Sequence, residues 1–423
     1  MIDRRGEPLR VLHAPRNIAG QGSDIVAALR RAGHEAELWE DVPDPFGRGA
    51  DRALELDLRD ARGTVDAIVE AARRFDVIHF HYGRTFVPWW GILPPYWDLP
   101  VLRGLGRKVF FTFHGTDARI EHLHASVNRW SDRFVPPAPP EDDRTEKSLQ
   151  VIRTYASGMF VVSVNYLAYV PDAAYMPRVI DLAAWPVVAP RTRPRPLIVH
   201  APTKRSTKGT ELLLPALDRL RAEGLDFELR LLEGVPHAEV RATLAEADIL
   251  VDNLVGGSYG IVTLEALASS VVAVSNYTDA VRRAHPDLPV IHADPDTIAD
   301  VLRPLILDPS ARGALAARGR PFVEAVHSAD VVAARLVEAY RAPGAPLRPG
   351  VMPDWMSLQS TRSVEGLEGR IADLQVELAR ARRREMDLRA RLGLDPDPQP
   401  SRARVLARRL LPRGLRRRLT GRP

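Results

Sequence analysis

The chain has no cysteine among its 423 residues, which removes disulfides, thiolate metal sites and cysteine nucleophiles from consideration. It also has no run of about 18 apolar residues that could span a bilayer. Residues 1–5 lead into a short strand-like segment without a signal-peptide core and cleavage site, so a cytoplasmic protein is expected. Lysine is scarce. Lys108, Lys147, Lys204 and Lys208 are the four present, against 55 arginines, so basic positions are generally filled by Arg. Two of those four lysines fall within five residues of each other, which singles out their segment. What is present is an ordinary globular mixture, 45% apolar and 27% charged, long enough for two or three domains. The net charge of +5 suggests an anionic partner but does not locate the charge.

Short apolar runs alternate with helical patterns through the first half. Strands are expected over residues 9–15, 35–39, 76–80, 108–113 and 159–164, and helices over 23–32, 65–74 and 144–156. Residues 186–196 are rich in Pro and Arg and read as a linker. The alternation then restarts, with strands over 197–200, 228–232, 249–251, 271–275 and 290–292. Helices are expected over 210–223, 238–247, 261–268, 297–307, 310–326 and 329–340. The fold class is therefore α/β, with two Rossmann-like doubly wound domains at 1–185 and 197–327 and a closing helix at 328–342. Ligands of such sheets bind at the carboxyl ends of the strands.

The character changes after residue 342. A Pro- and Gly-bearing linker is expected over 343–363, followed by a coiled coil over 364–394. One seam is Leu367, Leu374, Ala381 and Leu388; the other is Ile371, Leu378, Glu385 and Leu392. That coiled coil points to a homo-oligomer. Residues 400–423 form a basic amphipathic tail with nine arginines and no acid, so the rest of the chain sums to −4. Arg402 to Arg418 suit an anionic membrane surface, which adds a peripheral contact with the inner leaflet to the cytoplasmic expectation. Nucleic acid is not the expected partner.

Two segments carry the strongest chemical signal. HAPTKRSTKGT at 200–210 follows a strand and leads into a helix, so backbone N–H groups join Arg205 and Lys208 as a diphosphate site. DNLVGGSYGIVTLE at 252–265 joins a strand, a glycine turn at Gly256 and Gly257, and a helix carrying Glu265. A carboxylate on that apolar helix needs a partner, and vicinal ribose hydroxyls would supply one. The loop holding Asn17, Gly20 and Gln21 is glycine-bearing but does not fit G-x-G-x-x-G. His79, His81 and His114 stand at strand carboxyl ends and are expected to make polar contacts in a cleft. No carboxylate spacing accompanies them, so no metal is expected.

In this order the segments resemble retaining GT-B glycosyltransferases of family 4, as found in bacteria. The matching pieces are the N-terminal glycine loop, FTFHGTD, the segment 177–181 (PRVID), KRSTKGT and GSYGIVTLEALASS. The resemblance implies a nucleotide-sugar substrate, no separate cofactor and sugar transfer with retention, without a protein-bound metal, in polysaccharide or glycolipid synthesis. It implies catalytic roles for His114, Arg205 and Lys208. Donor contacts would come from Gly20, Arg205, Lys208, Asp252, Gly256, Gly257 and Glu265. Asn17, Gln21, His81 and Asp117 would face a saccharide or lipid-linked acceptor. Glu265 matches the second Glu of the family's E-x7-E motif, whereas Gly257 stands where the first belongs. Asp252, or backbone N–H groups of Gly256 and Gly257, would then replace that Glu. Two other readings are a sugar-nucleotide epimerase and a non-catalytic sugar-nucleotide-binding scaffold, the latter motivated by Gly257.

Overall fold

The computed structural model describes residues 7–42, 49–57, 61–88, 93–134 and 142–345. The chain divides into a unit of residues 1–359 and one of 360–423, and every described residue lies in the first. The coiled coil expected over 364–394 and the tail over 400–423 lie outside the described residues. No helix among the described residues is long and apolar enough to cross a membrane.

Seven strands make the first sheet: β1 (Arg10–Ala14), β2 (Glu35–Glu40), β3 (Arg52–Ala53), β4 (Val77–His81), β5 (Lys108–Phe113), β6 (Gly158–Val161) and β7 (Ala174–Tyr175). Their order is β3-β2-β1-β4-β5-β6-β7 and every pairing is parallel. Five more make the second sheet: β8 (Leu197–His200), β9 (Glu228–Leu231), β10 (Ile249–Val251), β11 (Val272–Ser275) and β12 (Val290–His292). That sheet runs β12-β11-β10-β8-β9, again all parallel. The near-continuous apolar runs of β4, β8 and β11 follow from this arrangement, because strands covered on both faces have no wet side. Two rises in strand order, β1 to β4 and β8 to β10, place crevices at the carboxyl ends of both sheets.

Four apolar clusters fill the layers on either side of the sheets. One joins the first sheet to the helix Gln21–Arg31 and to the last helix, Ala329–Arg341, through Leu29, Val332, Leu336 and Tyr340. The closing helix therefore returns to the first sheet after the second is complete. The helix expected over 310–326 is two, Pro309–Ala316 and Gly319–Val326. Asp308 caps the first by accepting the Ala311 N–H at 2.9 Å. The break lets Gly319 lie on the neighbouring helix, where a β-carbon would stand 2.9 Å from the Leu267 carbonyl oxygen.

The chain crosses between sheets through residues 176–181, and this crossing is anchored on both sides. Gln21 donates from Nε2 to the Val179 carbonyl and accepts the Val179 N–H at Oε1, each at 2.8 Å. Ile180 pairs with the other side, donating to the His327 carbonyl at 2.9 Å and accepting from Ala329 at 3.1 Å. The carboxyl ends of the sheets then meet directly. Ser163, after β6, shares a 2.9 Å hydrogen bond with Ser258, after β10. Asn128 donates to the Val255 carbonyl at 2.7 Å from the opposite domain. Phe134 goes further and joins the apolar cluster of the second sheet.

Candidate active site

The second sheet contributes a loop after β8 and one after β10. Arg205 and Lys208 sit on the single helical turn Arg205–Lys208. Gly209 ends that turn at φ +74°, pressed against Leu254 and Val255, a conformation that favours glycine. Lys208 forms an ion pair with the buried carboxylate of Asp252. The same carboxylate accepts the Gly260 N–H at 2.9 Å and the Thr263 hydroxyl at 2.7 Å. It thereby satisfies the start of the helix Ile261–Ala268. Burial would raise the Asp252 carboxyl, but the Lys208 charge and these hydrogen bonds hold it below the usual carboxylate range.

Arg205 is half exposed and lies 3.1 Å from Glu211 and 3.0 Å from Glu233. Glu265 is buried, and its Oε1 lies 2.7 Å from His237 Nε2. His237 opens the helix His237–Leu244 and packs edge-on against Trp185. Gly256 donates its N–H to Asn253 Oδ1 at 2.8 Å, so this backbone donor is engaged within the loop. Gly257 adopts φ +74°, and a β-carbon there would stand 3.2 Å from Thr278 Cγ2 and 3.3 Å from Asn128. The position expected to carry a motif Glu is a left-handed turn with packed walls.

Across the cleft, β1, β4 and β5 deliver a column of imidazoles. His79 and His81 point to one face because they are two residues apart, and strand register pairs His13 with His79. His114 Nε2 lies 3.1 Å from His81 Nδ1, and His81 Nε2 lies 2.8 Å from His13 Nδ1. His79 bonds Tyr340 of the closing helix at 2.5 Å and Thr112 at 2.7 Å. Burial pushes His81 down to about 3 and holds His13, His79 and His114 well below the ordinary imidazole range. The column is therefore neutral at pH 7. Asp117 accepts the Gly115 N–H at 2.7 Å and the His114 N–H at 3.0 Å, which fixes the turn that presents His114. Burial raises the Asp117 carboxyl to about 6, against the pull of those N–H groups.

Several sequence expectations shift in this geometry. His79 lies in the core beneath Tyr340 rather than in the cleft, and His81 is enclosed with both nitrogens engaged. Gln21 holds the crossing segment with both ends of its amide. Asn17 accepts the Gly22 N–H at 3.0 Å at the start of the helix Gln21–Arg31, for which Gly20 supplies a left-handed cap at φ +77°. Asp252, expected at the donor sugar, is engaged by Lys208, Gly260 and Thr263. His237, Arg178, Asn128, Ser163 and Ser258 enter the site without having been singled out in sequence. Arg178 and Ser258 had a local signal, Arg178 inside PRVID at 177–181 and Ser258 inside the glycine turn at 252–265.

No protein-family model and no curated protein sequence matches the chain. Solved structures do match its fold. Sucrose-phosphate synthase from Thermosynechococcus elongatus aligns with TM-score 0.55 at 14% identity, covering 79% of this chain and 98% of that one. The Anabaena protein HepE in complex with UDP-glucose aligns with TM-score 0.54 at 11% identity, covering 78% and 98%. The catalytic domain of starch synthase IV from Arabidopsis thaliana, bound to ADP and acarbose, gives 0.51 at 13% identity, covering 79% and 99%. The described body is thus a GT-B fold of two Rossmann-like domains.

Two outcomes follow from the packing and the imidazoles. Gly257→Glu should lower unfolding stability by about 1–2 kcal/mol, because a side chain at this left-handed turn is strained. Denaturant unfolding checks it, and unchanged stability would refute the packed-wall account. The second concerns acid. His81 titrates near 3 when folded and near 6.5 when unfolded, so its contribution is complete above about 6.5 and falls as pH drops. Between pH 7.5 and 5 the loss from this residue should be about 2 kcal/mol. His81→Gln should reduce the acid loss by that amount in melts at the two pH values, and an identical acid dependence would contradict it.

Proposed function

We propose that the chain is a glycosyltransferase moving a sugar from a nucleotide-sugar donor to a saccharide or lipid-linked acceptor. The observation that carries this reading is the apposition of the two carboxyl-end crevices, with Arg205, Lys208 and Glu265 on one side and His114 on the other. The GT-B fold, shared with structures solved with UDP-glucose and with ADP and acarbose, supports it.

Arg205 and Lys208 bind the donor diphosphate and stabilise the charge that develops as it leaves. Arg205 exchanges its carboxylate neighbours for phosphate at little cost, because exposed ion pairs contribute only about 0–1 kcal/mol. Lys208 stays on Asp252 and turns its remaining N–H donors to the phosphate, as an ammonium has three. Glu265 receives the ribose hydroxyls in the pocket that His237 borders. His114, held by Asp117 and kept neutral by burial, serves the donor sugar as a hydrogen-bond partner rather than as a charge. Transfer retains the anomeric configuration, with the acceptor hydroxyl attacking the face from which the diphosphate departs and losing its proton to a diphosphate oxygen. Charge stabilisation in this scheme is assigned to the two cations rather than to a metal. The product belongs to cell-surface polysaccharide or glycolipid, and the arginines from Arg402 to Arg418 dock the enzyme on an anionic leaflet where a lipid-linked acceptor resides.

Arg205→Ala should lower kcat/KM about 10²-fold, on the scale of 2.7 kcal/mol of lost transition-state stabilisation, with little change in Tm. Steady-state assays with a panel of nucleotide sugars test this, and unchanged turnover would sink the assignment. Donor binding without release or transfer of sugar would instead favour the scaffold reading that Gly257 motivates. Co-sedimentation with phosphatidylserine vesicles, for the full chain and a chain ending at residue 400, tests the tail. Equal binding of the two would end the membrane assignment.

A further inference from the structure

Arg178 stands at the crossing between the two sheets and is nine-tenths buried. Of the five N–H groups on a guanidinium, two meet protein acceptors, the Val162 carbonyl at 3.3 Å and the Tyr166 hydroxyl at 3.3 Å. Both acceptors are neutral and both bonds are long. Among the described residues no carboxylate pairs with it. A buried guanidinium lacking a counter-charge is costly, and a bound anion would remove that cost.

The surroundings place this cation in the cleft. Tyr166 Oη lies 3.1 Å from where a β-carbon on Gly115 would stand, directly beside His114. The charge of Arg178 acts on His114 from one domain and on Tyr259 from the other. Val162 precedes Ser163, whose hydroxyl meets Ser258 between Gly257 and Tyr259. The charge of Arg178 also acts on Tyr175 and His327, neither of them an acid. On the turn before Ser258 stands Gly257, which supplies no carboxylate. An acid that would repel an anionic sugar is missing where a base is present.

We infer that Arg178 recognises a carboxylate on the transferred sugar, so that the donor this cleft prefers is a nucleotide-linked uronic acid. The inference rests on the cleft being a nucleotide-sugar site. The guanidinium is pre-positioned by Val162 and Tyr166 and keeps N–H groups for a paired, charge-assisted contact with the carboxylate. A neutral hexose would leave the buried cation as it is, and a uronate would neutralise it. Arg178 is thus a specificity residue at the sugar end, separate from the diphosphate contacts of Arg205 and Lys208.

The test is calorimetric titration of the full chain with UDP, UDP-glucose and UDP-glucuronate, and with GDP, GDP-mannose and GDP-mannuronate. The expected result is at least one nucleotide bound, with its uronate form held about tenfold or more tighter than the neutral sugar, the scale of one charge-assisted hydrogen bond. Arg178→Gln should bring that ratio towards one, and Arg178→Lys should restore part of it. Melting each variant with the bound nucleoside diphosphate confirms that it folds. A ratio near one in the unaltered protein, or a ratio that survives Arg178→Gln, overturns the inference while leaving the donor site intact. An equal loss for the nucleoside diphosphate alone would make Arg178 a phosphate contact and also overturn it. No binding by any nucleotide would remove the donor-site reading and this inference with it.

Discussion

The cleft wall built on the second sheet depends on the buried carboxylate of Asp252. It is the point at which the loop after β8, the loop after β10 and the helix Ile261–Ala268 are tied together, through Lys208, Gly260 and Thr263. The helix start needs an acceptor for its free N–H groups, and the carboxylate supplies it from the preceding strand end. Lys208 then makes that buried charge tolerable, because removing either member leaves the other uncompensated. Gly260 completes the arrangement by having no side chain, since a β-carbon would stand 2.8 Å from Asp252 Oδ2 and 3.2 Å from Lys208 Nζ. Lys208, proposed as a diphosphate contact, is therefore also a structural cation. Arg205, half exposed beside Glu211 and Glu233, has no such second duty.

The same division of labour holds on the other side. Asp117 fixes the turn that presents His114, and burial keeps that imidazole uncharged. The column behind it runs through His81 and His13 to Tyr340, so the closing helix reports to the cleft wall through a file of hydrogen bonds. Neutral imidazoles in a stacked file can each donate at one nitrogen and accept at the other, whereas protonation of one would set two donors against each other. Burial and mutual contact therefore favour one uncharged arrangement, and the packing of Ala329–Arg341 on the first sheet maintains it.

Most elements were legible because both sheets are covered on two sides, which makes strands apolar runs and helices amphipathic patterns, while the short helices Asp98–Gly104, Glu121–Val127 and Asp279–Ala284 were not expected. The two-residue strands β3 and β7 were not, since so short a pairing leaves no period to read. The break between Pro309–Ala316 and Gly319–Val326 was hidden for a different reason, because it answers to contact with Leu267 on another helix. Site residues divide in the same way. Arg205, Lys208, Gly257 and Glu265 stand in local motifs after strand ends and could be named from spacing. Their partners could not. Asp252 was singled out, but its contacts with Lys208 and Thr263, like that of His237 with Glu265, form only when distant segments meet. The engaged N–H of Gly256 had a local signal, because Asn three residues before Gly offers the side-chain turn that Asn253 makes.

Gly257 and Arg178 then belong to one electrostatic argument rather than two. Gly257 precedes Ser258, which bonds Ser163, and Tyr259, on which the charge of Arg178 acts. Among the described residues no carboxylate pairs with Arg178, and glycine at 257 supplies none from this turn. With glycine there, the turn closes against Thr278 and Asn128, while the Arg178 guanidinium meets two long, neutral hydrogen bonds and the face of Tyr166. The left-handed conformation and tight packing at Gly257 disfavour a side chain there, so glycine at this turn is set by the backbone as well as by the sequence. The charge that completes the cleft has to arrive with the ligand.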